Sequence, residues 1–524
     1  MHGGGEALRS VAKRVFGSSG SGGPRTQVVA ASVVAGLVAA GVVLRVIVYR
    51  SALGRLAGDE ATWGLMARHV LHGEVSAFFW GQAYGGTQEE FPVAGLFAVF
   101  GTHLVLMRIV PIAFSGLAAL AVWRFGRRWL GEREAIVAGV LLWIFPIYAI
   151  WKIEVWSGFY GAGLLYATLI VLFTLELDDR ATRGRIALMG LLLGLGFWES
   201  LQLVAVIVPA LAWLTVRRPR IWRDAWVAAP TAALGSLPWI LSNLQHDGWS
   251  FVVLGGGSTY VGRLRGFASS TLPMILGLRI PLSVDWTLGT LVSVVMYGVI
   301  LLAFAAAAWH WRRSPLSLLP AIAAGYPFIY ALSEQTSITA EPRYVVVLLP
   351  VLVMMLGKAA RSLPAAAIVL VAALGLSAVG LARWIDDERA VMALAPHNIA
   401  DVALGPTIAA LQRAGIDRAY ADYWIAYRTT FDTRERIVVS EFDPEMLARV
   451  RPGRVLPPVP RNYHMHHHPA YDTAVRSARR FAYVLLVNEP GEAHDARLLV
   501  TNGFTEERVG TMRIFISPLQ HVGA

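Results

Sequence analysis

The sequence predicts a mostly α-helical, polytopic membrane bundle followed by a small α/β domain. Three observations predict it. Hydrophobic residues make up 56% of the 524 and charged residues only 15%, whereas a soluble chain carries roughly a quarter charged residues. Mean hydropathy is +0.53. Apolar runs of spanning length recur as far as residue 383, and the composition turns polar and globular from about residue 386.

Residues 1–26 are Gly/Ser-rich and basic (Arg9, Lys13, Arg14, Arg25) and read as a disordered cytoplasmic tail. No cleavable signal is needed, because the first apolar run, at 28–48, is long enough to cross. Further runs lie near 104–125, 134–151, 158–176, 185–198, 200–216, 225–243, 287–309, 316–332, 343–358 and 363–383, giving about 11 spans. With the N-terminus inside, the inner segments hold about 19 basic residues and the outer loops up to residue 343 about nine, as the positive-inside rule requires. Arg124, Arg127, Arg128 and Arg133 fill one inner loop, and Arg217, Arg218, Arg220 and Arg223 another. An odd number of spans places the C-terminal segment outside. The expected organisation is therefore a tail at 1–26, a transmembrane domain at 27–385 with a long external loop at 49–103, and an extracytoplasmic α/β domain at 386–524. The setting is the plasma membrane.

In that last domain RAYAD (418–422), RIVVS (436–440), FAYVLLVN (481–488) and TMRIFIS (511–517) read as strands. PTIAALQRAG (406–415) and PAYDTAVRSARR (469–480) read as helices. Cysteine is absent, which excludes disulfides and thiolate metal sites. The net charge of +11 is read as cytoplasmic Lys and Arg meeting anionic lipid, not as a nucleic-acid footprint. P-loop, GxSxG, HExxH and CxxC motifs are all missing.

The polar chemistry gathers in the first external loop, GDEATWGLMARHVLHGEVSAFFWGQAYGGTQEEFP (58–92). Asp59 and Glu60 open an amphipathic helical pattern through Trp63, Met66, Ala67 and Val70. Asp is a favoured helix N-cap. Capping explains one acid but not the pair, nor Glu89 and Glu90, and acids at the edge of hydrocarbon are costly and usually functional. Asp59 and Glu60 are therefore the catalytic candidates and Glu89 a binding one, with Glu90 as a solvated neighbour. Gly81, Gly85 and Gly86 around Gln82 and Tyr84 indicate a tight loop, and with Trp63, Phe78, Phe79 and Trp80 a sugar-binding pocket.

Elsewhere Arg343, in EPRY beside a span, is a candidate phosphate clamp because arginine offers a fixed fork of donors. Lys152 and Glu154, in WKIEVW, and Glu199, in GFWES, are either boundary ion pairs or substrate contacts. His464, His466, His467 and His468 form HMHHH in a Pro-rich loop; such clusters bind zinc, yet successive histidines do not by themselves build a tetrahedral site.

An Asp-Glu pair after the first span, then GQ-Y-GG-QE, then a short helix ending FAVFG resembles the family 39-type glycosyltransferases of the GT-C superfamily, akin to the protein O-mannosyltransferases and the aminoarabinose transferases of lipid A. The Lys152 turn, GLGFWES (194–200), LPMILGLR (272–279) and EPRYVVVLLP (341–350) match as well. YADYWIAYRTTF (420–431) and HPAYDTAV (468–475) resemble the exported tail of actinobacterial members. The departures are Glu90, where the family has a small or apolar residue, and WKIEVWSG, which lacks a basic residue near its end. They bear on the acceptor more than on the fold.

The resemblance implies a GT-C fold and a polyprenyl-phosphate-linked sugar donor. It also implies inverting transfer to a glycan, lipid or protein acceptor at the outer membrane face. Asp59 becomes the key carboxylate with Glu60 beside it, Gln82, Tyr84 and Glu89 line the pocket, and Arg343 lies near the phosphate. Some GT-C relatives use a divalent cation and others do not; the sequence leaves any metal undecided. Two other functions compete: a lipid or sugar transporter or flippase, and a noncatalytic envelope assembly factor binding glycan through Tyr423, Trp424 and Tyr427.

Overall fold

The computed structural model describes residues 24–156, 158–251, 257–387, 404–442, 467–487 and 492–518. The N-terminal tail through residue 23, and His464 and His466, lie outside the described residues. The chain divides into two compact units. One comprises Met1–Gly54, Ile109–Glu154 and Phe159–Val391; the other comprises Arg55–Arg108, Val155–Gly158 and Met392–Ala524. Most of the 49–103 loop, expected to be external and part of the transmembrane domain, thus belongs to the same unit as the C-terminal residues.

The first unit is helical. Among the described residues five helices are long and apolar enough to cross a membrane: Val28–Arg50, Leu104–Leu130, Tyr160–Asp179, Thr290–Trp311 and Leu363–Asp386. Glu132–Ile144 and Ile147–Glu154 form a sixth candidate, bent by 59°, where Pro146 interrupts the backbone ladder. The sequence reading of about 11 spans rests on apolar content, and several of those runs are not single long helices among the described residues. The run at 225–243 is divided into Ala228–Gly235 and Leu237–Gln245. The run at 343–358 begins as the 3-10 turn Arg343–Leu348 and becomes α-helical only at Leu349–Ala359.

Close helix packing in this unit depends on small residues. Gly190 and Gly194 form a G-x-x-x-G face on Arg183–Glu199, and a side chain at either would overlap the backbone of Ala228–Gly235. Such faces let helices meet where lipid offers no hydrophobic drive to association. Arg45, inside the first helix, finds local partners for its Nη1. Its Nη1 donates to the carbonyls of Gly41 at 2.9 Å and Trp143 at 3.0 Å, and its guanidinium lies 3.6 Å from the Trp143 ring centroid.

The second unit contains a five-stranded sheet: β1 (Arg418–Ala421), β2 (Val438–Glu441), β3 (Ala482–Leu486), β4 (Thr505–Val509) and β5 (Met512–Ile516). The strand order is β2-β1-β3-β5-β4. β1 pairs in parallel with β2 and β3, while β5 runs antiparallel to β3 and β4. Helix Tyr423–Asp432 connects β1 to β2, the crossover that parallel neighbours need. Its N-cap is Asp422, whose carboxylate accepts from the Trp424 N–H at 2.9 Å. The core includes Tyr420, Phe481, Tyr483, Phe504 and Phe515.

Four of these strands and two helices follow the expected pattern. β4 (TEERV) is polar and mostly exposed, so it carries no apolar alternation to reveal it. It is specified by the hairpin with β5, whose turn holds Gly510 at φ +59°.

The segment Arg55–Arg108 supplies this unit with helices Gly58–Val70 and Glu90–Phe100. Gly64 faces Phe431 and Met107 so closely that a Cβ would lie 2.9 Å from the Met107 methyl. Gly158, at φ +97°, backs onto the Trp63 indole. Gly158→Ala is therefore expected to cost at least ~1–2 kcal/mol from the left-handed backbone alone, read as a lower thermal unfolding midpoint.

Candidate functional site

The helix Gly58–Val70 begins at an uncapped Ala57, with Asp59 and Glu60 in its first turn. Asp59 is thus not the N-cap; both acids sit where the helix dipole favours negative charge. The two neighbours then part ways. Glu60 is fully buried and holds Arg108 in a bidentate pair, with Arg108 Nε and Nη2 each 2.7 Å from a carboxylate oxygen. Its Oε1 also accepts from the Trp156 N–H at 3.2 Å. Asp59 is half-buried. Its Oδ1 accepts from the Tyr423 hydroxyl at 2.8 Å, and that hydroxyl lies 3.2 Å from Thr62 Oγ1. Burial and the Asp59 charge push the Tyr423 pKa well up, so this phenol stays a donor.

The glycine loop is as tight as expected. Phe78 and Gly86 form an antiparallel bridge, the Phe79 N–H donates to the Gly85 carbonyl at 3.1 Å, and Gly81 and Gly85 take φ of +73° and +84°. Gln82 and Tyr84 lie within this closed turn and are half-buried. The aromatics expected to line a sugar pocket are core instead. Phe78, Phe79, Trp80 and Trp63 are all buried, and Trp63 stacks obliquely between Phe79 at 4.9 Å and Trp156 at 5.5 Å. Glu89 immediately precedes helix Glu90–Phe100. Glu90, expected in solvent, is as buried as Glu89, each 1% exposed. Consecutive residues entering a helix need not alternate between inside and outside.

In the helical unit Lys152 and Arg343 flank one acid, Glu341. Lys152 Nζ lies 3.0 Å from Glu341 Oε1, and the Tyr148 hydroxyl 3.4 Å from the same oxygen. Burial alone would raise the Glu341 pKa, but Lys152 and Arg343 outweigh it and hold it below the usual carboxylate value. The Arg343 guanidinium lies over the Tyr344 ring at 4.9 Å. Glu154 and Glu199 are both buried, each at the end of its helix.

Sequence reasoning passed over Arg108, Glu341 and the role of Tyr423. Arg108 had a signal, a cation near the start of helix Leu104–Leu130 and set apart from the arginines at its far end, within an apolar stretch where a charge usually marks a buried partner. Tyr423, Trp424 and Tyr427 were weighed as a glycan-binding surface. Tyr427 is buried, while Tyr423 and Trp424 are half-buried, with Tyr423 bonding Asp59 and Trp424 packed against Gly58.

Part of the chain, beginning after the first-turn acids, is similar in sequence to known proteins. A family model for dolichyl-phosphate-mannose-protein mannosyltransferases matches residues 90–244. The undecaprenyl phosphate-α-4-amino-4-deoxy-L-arabinose arabinosyl transferase of Edwardsiella ictaluri is 30% identical over 185 residues, covering 30% of this chain and 31% of that protein. A homologous transferase of Sodalis glossinidius is 30% identical over 182 residues, 31% of this chain and 32% of that protein. The alignment thus spans about a third of these relatives. The solved structure of ArnT from Cupriavidus metallidurans bound to undecaprenyl phosphate superposes with a TM-score of 0.61, over 93% of this chain and 98% of ArnT, at 15% identity. Its apo form gives 0.62. The chain has the fold of ArnT. Its apolar helices make it a multi-pass membrane protein of that fold.

Proposed function

We propose that this ArnT-like chain is an inverting glycosyltransferase of the plasma membrane. It moves a sugar from a polyprenyl-phosphate donor to a cell-envelope acceptor at the outer face, with the N-terminus cytoplasmic and the C-terminal domain exported. Asp59 is its catalytic carboxylate. The observation that carries this reading is the division of labour between adjacent acids. Glu60 is saturated by Arg108 and hidden from solvent, which suits a positioning residue. Asp59 is half-buried and oriented by a single phenolic donor.

In the reaction the acceptor hydroxyl attacks the anomeric carbon as Asp59 takes its proton. The sugar–phosphate bond breaks with positive charge developing on the sugar. Polyprenyl phosphate departs as an anion, which needs fixed cations rather than a strong acid. Within the helical unit, Glu341 holds Lys152 in place. Gln82, Tyr84 and Glu89 serve sugar recognition, and Glu154 and Glu199 shape the surroundings of the helical unit. Neither acid in the first turn is free to take a cation by both oxygens: Glu60 is committed to Arg108, and Asp59 shares one oxygen with Tyr423.

The test supplies purified protein with a labelled polyprenyl-phosphate sugar in vesicles. Acceptor-dependent release of polyprenyl phosphate is expected. Movement of intact lipid-linked sugar across the bilayer, without release, would favour a flippase. Tyr423→Phe sharpens the reading. Losing one hydrogen bond costs only ~0.5–1.5 kcal/mol of stability, but kcat is expected to fall more than KM rises, because Asp59 loses its orienting donor. An unchanged kcat would remove Tyr423 from the mechanism.

A further inference from the structure

We propose that His69, Glu74 and His468 form a binding site for a zinc-class transition-metal dication. One ring nitrogen from each histidine and one oxygen of Glu74 all lie within 4.8 Å of one another. His69 Nδ1 is 2.6 Å from Glu74 Oε2, and His468 Nδ1 is 3.7 Å from Glu74 Oε1. The second distance is too long for a hydrogen bond. Two imidazoles and one carboxylate are a donor set that suits zinc, and three protein ligands leave a fourth tetrahedral position for water.

The surroundings are built as an outer shell. The other nitrogen of His69, Nε2, lies 2.7 Å from Glu435 Oε1, and the Tyr471 hydroxyl donates to that same oxygen at 2.9 Å. Arg68 Nη2 lies 3.0 Å from Glu435 Oε2. A metal-bound histidine characteristically donates its remaining N–H to a carboxylate, which fixes tautomer and ring direction. The His468 ring is clamped by the Trp80 indole, stacked at 4.0 Å and 15°, and by Tyr471 edge-on at 4.3 Å. Its neighbour His467 is committed elsewhere, with Nδ1 2.8 Å from Glu441 Oε2. Two ligands are therefore fixed before an ion arrives, and the third is adaptable, since the Glu74 side chain is half exposed. Tetrahedral donors around zinc stand about 3.3 Å apart, so Glu74 must retreat from His69 by a fraction of an ångström, and its exposure permits that.

The site has a mechanical consequence. His69 lies in the last turn of Gly58–Val70, whose first turn carries Asp59. An ion there ties the far end of that helix to residue 468, across a long loop in sequence, while Tyr423 holds the near end. The inference does not depend on the transferase reading.

The experiment uses the full chain in detergent, stripped with chelator and titrated with Zn²⁺. One equivalent per chain and a raised unfolding midpoint are expected, with Co²⁺ giving the visible bands of a four-coordinate site. Glu74→Gln, on an exposed side chain, is expected to weaken Zn²⁺ binding by at least ~10–100-fold, and Glu435→Gln by a comparable factor through the outer shell. His468→Ala should abolish the cobalt bands. Failure to bind Zn²⁺ would overturn the proposal, as would binding unaltered by Glu74→Gln. So would loss of binding in His464→Ala/His466→Ala with Glu74→Gln unaffected, which would assign the ion to the histidine tract. An equal response to Mg²⁺ would replace the zinc-class site with a hard-cation one.

Discussion

Asp59→Asn is expected to lower sugar transfer by ~10²–10⁴-fold, the range for losing a positioned general base, while the protein folds normally. The asparagine oxygen can still accept from the Tyr423 hydroxyl that Asp59 Oδ1 binds at 2.8 Å. The change therefore removes the proton acceptor and leaves the local hydrogen bond in place. Asp59→Glu should recover part of the rate, because the base returns but its reach changes. The measurement is release of polyprenyl phosphate under single-turnover conditions, beside the thermal unfolding midpoint of each variant. Full transfer by Asp59→Asn at wild-type midpoint would end the assignment of this residue. The same loss in Glu60→Gln, without a fall in stability, would move the base to Glu60.

Arg108→Met should act on stability. Arg108 and Glu60 are 2% and 0% exposed and pair through two contacts of 2.7 Å. Removing one member leaves a buried charge uncompensated, which costs about 3–5 kcal/mol. The unfolding midpoint should fall sharply, or the variant should fail to accumulate. The double variant Glu60→Gln/Arg108→Met removes both charges and is expected to recover much of that loss, since replacing a whole buried pair is often close to neutral. If Arg108→Met alone matched wild type, the pair would not anchor the helix that bears Asp59. If the double variant were stable yet slow in transfer, Glu60 would act on the geometry of its neighbour.

The two acids show how far sequence reasoning reaches. Adjacent carboxylates at the start of an amphipathic pattern mark the site, and their position in the first turn of Gly58–Val70 agrees with that pattern. Which acid is saturated was not legible, because the partner, Arg108, lies 48 residues away. The aromatic residues misled for a related reason. Trp63, Phe78, Phe79 and Trp80 have the composition of a sugar platform, but composition does not say which face is inside, and here all four are buried. Glu90 illustrates the converse: an acid beside an acid reads as solvated, yet it is buried at the start of its helix. Helix continuity was not legible either: the runs after residues 225 and 343 keep their apolar content while the α-helix is interrupted.

Composition and hydropathy by themselves determined that this chain lies in a membrane, that acids gather in the loop after its first apolar helix and that a small α/β region follows. Burial energy follows apolar content and period, and both are local properties of the sequence. Only the tertiary structure decided that the first loop and the C-terminal residues form one unit. It alone set Tyr423 on Asp59, Arg108 on Glu60, and His468 beside His69 and Glu74. Those pairings join residues dozens to hundreds of positions apart, and charge and hydrogen-bond partners are chosen by distance in space, which no local pattern encodes.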